Sequence, residues 1–396
     1  MILPVTYFDN AATTYPKPEQ VYLALDREFR QSGNAGRGTH PLALNGARQI
    51  FESRECIADF LGVSKSERLI FTPGCTQSLN VVLNSLSAYG TRAGAETLIL
   101  ISGLEHNAIM RPLNKLQQTS GLKIQSLSYS VGRFCDLTEL EEALQTLKPA
   151  MFILTEGSNV TGEVADLSAV ATLCKTYRVP LLVDAAQTAG RRQSCLNHDG
   201  ITFWCASAHK NLMGPQGLGL LYVHADFSLD PLVLGGTGSA SEQLSMPEAY
   251  PDHLESGTMP AFLIAGLKAG VTWLREVGTE VIIAQENLLV RRFLGWASNS
   301  PFISLYGQPL LSEFAEGSRD RLPIVSFAVL DKSAEQVADF LDRQANIAVR
   351  SGLHCSVQAH RALGTEKSGL VRTSFGFFNT VEEVDRLCEQ LERLHN

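Results

Sequence analysis

"RLIFTPGCTQSLNVVLNSL" (68–86) decides how the chain folds. A short apolar run ends at Thr72, Pro73 and Gly74 break it, and a helical pattern follows. The same unit recurs as "TLILI" (97–101) leading into "SGLEHNAIMRPLNKL" (102–116), and then as "MFILT" (151–155), "VPLLVDAA" (179–186), "ITFWCA" (201–206) and "LGLLYV" (218–223). Runs this short and this continuously apolar suit strands buried on both faces, which predicts an α/β fold with a mainly parallel sheet flanked by helices. In such sheets ligands bind beyond the carboxyl ends of the strands.

Beyond residue 270 the texture changes to a smaller α+β unit. "PIVSFAVL" (323–330) and "GLVRTSFGFF" (369–378) read as strands, and Ser333 with Gln336 and Thr380 with Glu383 read as capping boxes opening two helices. We expect a large domain over 16–270 and a small one built from 1–15 and 271–396.

The 396 residues suffice for a large core, and 44% hydrophobic with 19% charged residues is ordinary for a folded enzyme. A net charge of −8 lacks the basic footprint that nucleic acid requires. No apolar run is long enough to span a bilayer, and "MILPVTYFDNAATT" has no basic start followed by an apolar stretch, so a cytoplasmic protein without a signal peptide is expected. The eight cysteines form no C-x-x-C pair and no zinc spacing, so no metal site is expected. Cys388 shares a helical face with Val384, Leu387 and Leu391 and reads as core, as does Cys205 in its apolar run.

The strand ends carry a polar set: Gly74, Cys75 and Thr76; Glu105, His106 and Asn107; Asn159; Asp184 and Gln187; Ser207, His209 and Lys210. Singly, each has a plain reading as a turn, a cap or a satisfied core residue. Together they supply a helix N-terminus for a phosphate, a histidine, a buried aspartate and a lysine, the parts that hold pyridoxal 5′-phosphate (PLP). Desolvation lowers a lysine's pKa and so favours both imine formation and proton transfer.

These stretches, in this order, resemble the cysteine desulfurases of the class V aminotransferase superfamily, which are fold type I PLP enzymes. The resemblance runs through "YFDNAATTYPKP" (7–18), "GNAGRGTH" (33–40), "GCTQSLN" (74–80), "EHNA" (105–108), "VDAAQ" (183–187), "SAHKNLMGPQG" (207–217) and "ESGTMP" (255–260). "RSGLHCS" (350–356) resembles the group II signature. The resemblance implies that Lys210 forms the Schiff base, Asp184 pairs with the pyridine nitrogen, Gln187 bonds the ring hydroxyl and His106 stacks on the ring. It implies that Thr76, Ser207 and His209 hold the phosphate, with Cys75 standing where a small or hydroxylated residue is usual, and that Thr258 reaches the cofactor of the other subunit of a homodimer. Asn159, Arg372 and Arg350 are implied at the substrate, a planar guanidinium being suited to a carboxylate.

Cys355 is implied as the nucleophile that takes sulfur from L-cysteine, leaving L-alanine and a persulfide for an acceptor protein, as in iron–sulfur cluster assembly. Arg350 and His354 are expected to favour its thiolate. The alternatives are a selenocysteine lyase or another class V reaction. A catalytically silent relay protein conflicts with the intact Lys210, Asp184 and His106, and "GGTGSAS" (235–241) does not follow the strand–glycine–helix pattern of a dinucleotide site.

Overall fold

The computed structural model describes residues 5–35, 38–93, 97–192, 196, 200–315 and 321–395; Gly36 and Arg37 of the second glycine-rich stretch, and Cys195, lie outside them. The strands are β1 (Thr6–Tyr7), β2 (Leu69–Thr72), β3 (Leu98–Ile101), β4 (Lys123–Ser126), β5 (Met151–Thr155), β6 (Leu181–Asp184), β7 (Phe203–Ser207), β8 (Gly219–Val223), β9 (Ile303–Tyr306), β10 (Ile324–Val329), β11 (Ile347–Ala348), β12 (Arg350–Gly352) and β13 (Leu370–Ser374). The helices are α1 (Glu19–Gln31), α2 (Pro41–Leu61), α3 (Cys75–Ala93), α4 (Asn107–Ser120), α5 (Leu137–Leu147), α6 (Leu167–Tyr177), α7 (Ala261–Val277), α8 (Thr279–Ala297), α9 (Ala334–Ala345), α10 (Val357–Ala362) and α11 (Val381–His395).

Seven strands form one sheet in the order β2-β8-β7-β6-β5-β3-β4. Every pairing from β7 to β4 is parallel, and β8 alone runs against its neighbours β7 and β2. Strands β2, β5, β6, β7 and β8 are buried along their whole length, which accounts for their continuous apolar character. The chain steps one way from β3 to β4 and the other way from β4 through β5, β6 and β7. The strand order therefore reverses at β3 and β5, the kind of place where an open α/β sheet leaves a crevice at its carboxyl edge.

One glycine is required where β8 begins. A Cβ on Gly219 would stand 2.3 Å from the Gly74 carbonyl carbon and 2.6 Å from Cys75 N. Without it, the first turn of α3 could not lie against the Ser207–Gly219 end of the β7–β8 pair.

A second sheet, in the order β12-β13-β10-β9, is antiparallel. Its core joins Phe293 of α8, Leu341 of α9 and Leu387 of α11 to Phe327, and takes in Phe8 from the N-terminal segment. Both expected capping boxes form: Gln336 N donates to Ser333 Oγ, and Glu383 N donates to Thr380 Oγ1. The strand expected over 369–378 stops at Ser374. Beyond it Gly376 N turns inward to donate to Asn379 Oδ1, and no Cβ fits at 376, where Asn10 lies against the backbone.

Cys388 and Cys205 are buried as expected, whereas Cys355 is exposed. Among the described residues no helix is long and apolar enough to cross a membrane.

Candidate active site

The carboxyl edge of the large sheet and β12–β13 of the second sheet enclose a cavity of about 270 Å³. Cys75 and Thr76 reach it from the N-terminus of α3, His106 from the start of α4, and Asn159 from the turn after β5. Asp184 and Gln187 follow β6; Ser207, His209 and Lys210 follow β7. Arg350, Cys355 and Arg372 enter from the opposite side. Every site residue expected from sequence lines this one cavity except Thr258. That residue lies beside Gly257 and Thr237 in a separate, larger cavity of about 820 Å³.

Lys210 sits in the tight turn after β7, where Gly214 N donates to Ala208 O and Met213 N donates to Lys210 O. Burial lowers its pKa; Asp184 opposes that shift, and Arg372 and Arg350 add to it. An amine so placed loses its proton more readily than an exposed lysine.

Asp184 Oδ1 accepts from Ala186 N at 3.0 Å and from the Cys75 thiol at 3.7 Å. Burial and the Asp184 charge hold the Cys75 thiol protonated, so it serves as a weak donor. With both bonds on Oδ1, Oδ2 is the oxygen left to meet a ligand.

His106 caps α4, its Nδ1 accepting from Ala108 N at 3.1 Å. Burial lowers its pKa, and in the neutral ring the proton must then be on Nε2. The loop before it is drawn tight by Glu105, whose Oε1 accepts from Ser102 N and Ser102 Oγ at 2.6 and 2.5 Å.

Arg372 is 2% exposed. Its Nη1 donates to Asn159 O and its Nη2 to Asp9 Oδ1, at 3.1 and 2.6 Å. Gln187 Nε2 donates to Ala11 O at 2.9 Å. The segment after β1 is thus part of the site wall. Its motif was visible in "YFDNAATT", but the roles of Asp9 and Ala11 depend on contacts with residues far along the chain.

Three buried polar atoms on the cavity-lining residues have no hydrogen-bond partner: Thr155 Oγ1, His209 Nδ1 and Arg372 Nε. Buried polar groups are seldom left unpaired, so this wall is built for a polar ligand. Together with Asp184, Lys210 and a helix N-terminus, the set fits a phosphorylated pyridine aldehyde carrying an amino acid.

One expectation is corrected. His354 is buried beside Arg372 and His360, and its pKa is pushed down to about 2. Its ring is neutral and adds no positive charge beside Cys355.

Residues 6–387 match the aminotransferase class-V family profile. The chain is 30% identical over 394 residues to a probable cysteine desulfurase of Methanothermobacter thermautotrophicus, covering 98% of this chain and 94% of that one. It is 32% identical over 403 residues to a cysteine desulfurase of Escherichia coli O127:H6, covering 99% and 94%. The apo cysteine desulfurase of Thermococcus onnurineus NA1 superposes with a TM-score of 0.87 at 29% identity, covering 98% and 94%. The S-sulfonic acid form of the Escherichia coli cysteine desulfurase CsdA gives 0.84 at 26% identity, also covering 98% and 94%. A match over nearly the whole chain, together with a sheet whose carboxyl edge gathers a lysine, an aspartate and a histidine, places this protein in the aminotransferase class-V family.

Proposed function

We propose that the protein is a PLP-dependent cysteine desulfurase, which takes sulfur from L-cysteine, releases L-alanine and leaves a persulfide on Cys355. The observation that carries this reading is an exposed cysteine on the rim of the cavity that holds Lys210 and Asp184. A transaminase or epimerase of the same family needs no thiol there.

PLP, when bound, supplies an electron-accepting ring joined to the substrate's amino group. The Asp184 carboxylate would hold a proton at the pyridine nitrogen, and His106 would meet the ring. Thr76, Ser207 and His209 would hold the phosphate, the unpartnered His209 Nδ1 offering it a contact. Gln187 would meet the ring hydroxyl.

Arg372 and Asn159 orient the substrate carboxylate, with Arg350 alongside. The lowered pKa of Lys210 fits it to remove the proton from the substrate's α-carbon. The Cys355 thiolate then attacks the substrate sulfur. An S–S bond forms as the C–S bond breaks, and its electron pair stays with the carbon skeleton, which leaves as alanine once protonated. A thiol reductant or an acceptor protein afterwards removes the outer sulfur of the persulfide.

Thr258 completes the site of a second copy in a homodimer. Its distance from this chain's own cavity supports that reading.

The test is alanine formation from L-cysteine with excess reductant, comparing wild type with Cys355→Ala. Alanine from the wild type and at least 50-fold less from the variant is the expected result. Equal rates would remove Cys355 from the reaction. Activity on selenocysteine alone, undiminished in Cys355→Ala, would make the protein a selenocysteine lyase.

A further inference from the structure

Two buried histidines just beyond Arg350 take no part in the steps above. His354 Nδ1 lies 3.2 Å from His360 Nε2, and His360 Nδ1 lies 2.8 Å from Thr365 Oγ1. On its other side, His354 Nε2 is 3.5 Å from Arg350 O. A proton on His354 Nε2, facing the Arg350 carbonyl, gives the neutral rings one consistent direction: Thr365 Oγ donates to His360 Nδ1, His360 Nε2 to His354 Nδ1, and His354 Nε2 to Arg350 O. Burial keeps both rings neutral, pushing the pKa of His360 down to about 4.

This chain of bonds ends at a strained turn. His354 and Cys355 both have left-handed backbones, with φ of 50° and 56°. For residues with a Cβ, that conformation persists only where the surroundings enforce it. The backbone side of the turn is tied to the large sheet's loops. Asn159 Nδ2 donates to His354 O at 2.7 Å, and Asn107 N donates to Cys355 O at 2.8 Å. Ser356 closes the turn, its N donating to Leu353 O at 2.9 Å and its Oγ lying 3.3 Å from Leu104 O. The His354 side chain adds a further restraint, gripped by α10 through His360.

We propose that His360 is a positioning residue for Cys355: through His354 it holds the left-handed turn that sets the thiol on the rim of the cavity. What the thiol does there rests on the desulfurase reading; that it is held there does not.

The experiment compares His360→Ala and His360→Gln with wild type in the cofactor-loaded enzyme. In His360→Ala, kcat for alanine formation should fall about tenfold while KM and the cofactor absorption band stay within twofold. Alkylation of Cys355 by iodoacetamide, followed by mass spectrometry of its peptide, should accelerate at least threefold as the turn loosens. A glutamine amide can donate to His354 Nδ1, so His360→Gln should return both readings to within twofold of wild type.

Wild-type alkylation in His360→Ala, or a glutamine variant as impaired as the alanine one, overturns the proposal. If His360→Ala does not fold, Thr365→Val replaces it. Loss of the hydroxyl donor should speed alkylation at least twofold, and a wild-type rate counts against the proposal. A wild-type enzyme that makes no alanine from L-cysteine removes the desulfurase reading, and the alkylation rates then decide the positioning role alone.

Discussion

Arg372 and Asp9 are 363 residues apart in sequence, yet Arg372 Nη2 lies 2.6 Å from Asp9 Oδ1 beneath the candidate substrate site. The pair fixes one edge of the guanidinium and leaves Nε without a partner. Arg372→Lys keeps the charge and loses the fork, so the substrate carboxylate would be held by a point charge alone. Losing one charge-assisted bond costs about 1.5–3 kcal/mol. We expect kcat/KM for L-cysteine to fall roughly 10- to 150-fold, mostly through KM. Steady-state kinetics of the variant test this, and an unchanged KM would take Arg372 out of substrate binding.

Cys75 and Asp184 make a second testable pair. The thiol–carboxylate contact at 3.7 Å is weak, so its loss should be felt as a tuning effect. Cys75→Ala is expected to weaken cofactor binding by no more than about fivefold while the protein stays coloured. Asp184→Asn should cost more than 100-fold in activity, because it would remove the charge proposed to hold the pyridine proton. Cofactor titration of the apo forms distinguishes the two, and equal losses would mean that Cys75 does more than orient Asp184.

The large sheet was legible because strands buried on both faces leave an unbroken apolar signature, and because the runs of β5, β6 and β7 stop at or next to residues that line the cavity. Asp184 at the end of β6 and Lys210 just past β7 are cases in point. What the sequence could not convey were contacts made across the whole length of the chain. Asp9 against Arg372 is one. The neutrality of His354 is another, since a histidine beside a cysteine suggests a cation until burial beside Arg372 and His360 is seen. Strand β13 was overextended for a similar reason: Phe377 and Phe378 look like strand residues, but both pack on Trp273, with ring centroids 5.2 and 5.6 Å away.

If Thr258 serves the partner's cofactor, sites are shared and complementation should follow. A dimer combining a Lys210→Ala subunit with a Thr258→Ala subunit has one site carrying both changes and one carrying neither. Co-expressed, differently tagged subunits purified through both tags should regain about half the wild-type rate per dimer, although the Lys210→Ala homodimer is dead and the Thr258→Ala homodimer is impaired. No recovery would place Thr258 in its own subunit's chemistry, and an unimpaired Thr258→Ala homodimer would place it outside the reaction.

Lys17 offers a pH-dependent prediction. Its ammonium donates to Thr14 Oγ1 and, at 2.5 Å, to His209 O, the carbonyl next to Lys210. Burial brings its pKa from 10.5 down to about 7. Between those values the unfolded chain keeps the proton that the folded chain has released, so the unfolded state binds more protons. Stability must therefore rise with pH across that window, and the cost of burying the charge is fully felt below pH 7. Lys17→Met keeps the apolar stem and removes the titration. Denaturant unfolding midpoints measured from pH 6 to 10 should rise less steeply in Lys17→Met than in wild type. Parallel curves would show that Lys17 keeps an ordinary lysine pKa, and that its charge is not buried beside the Lys210 turn.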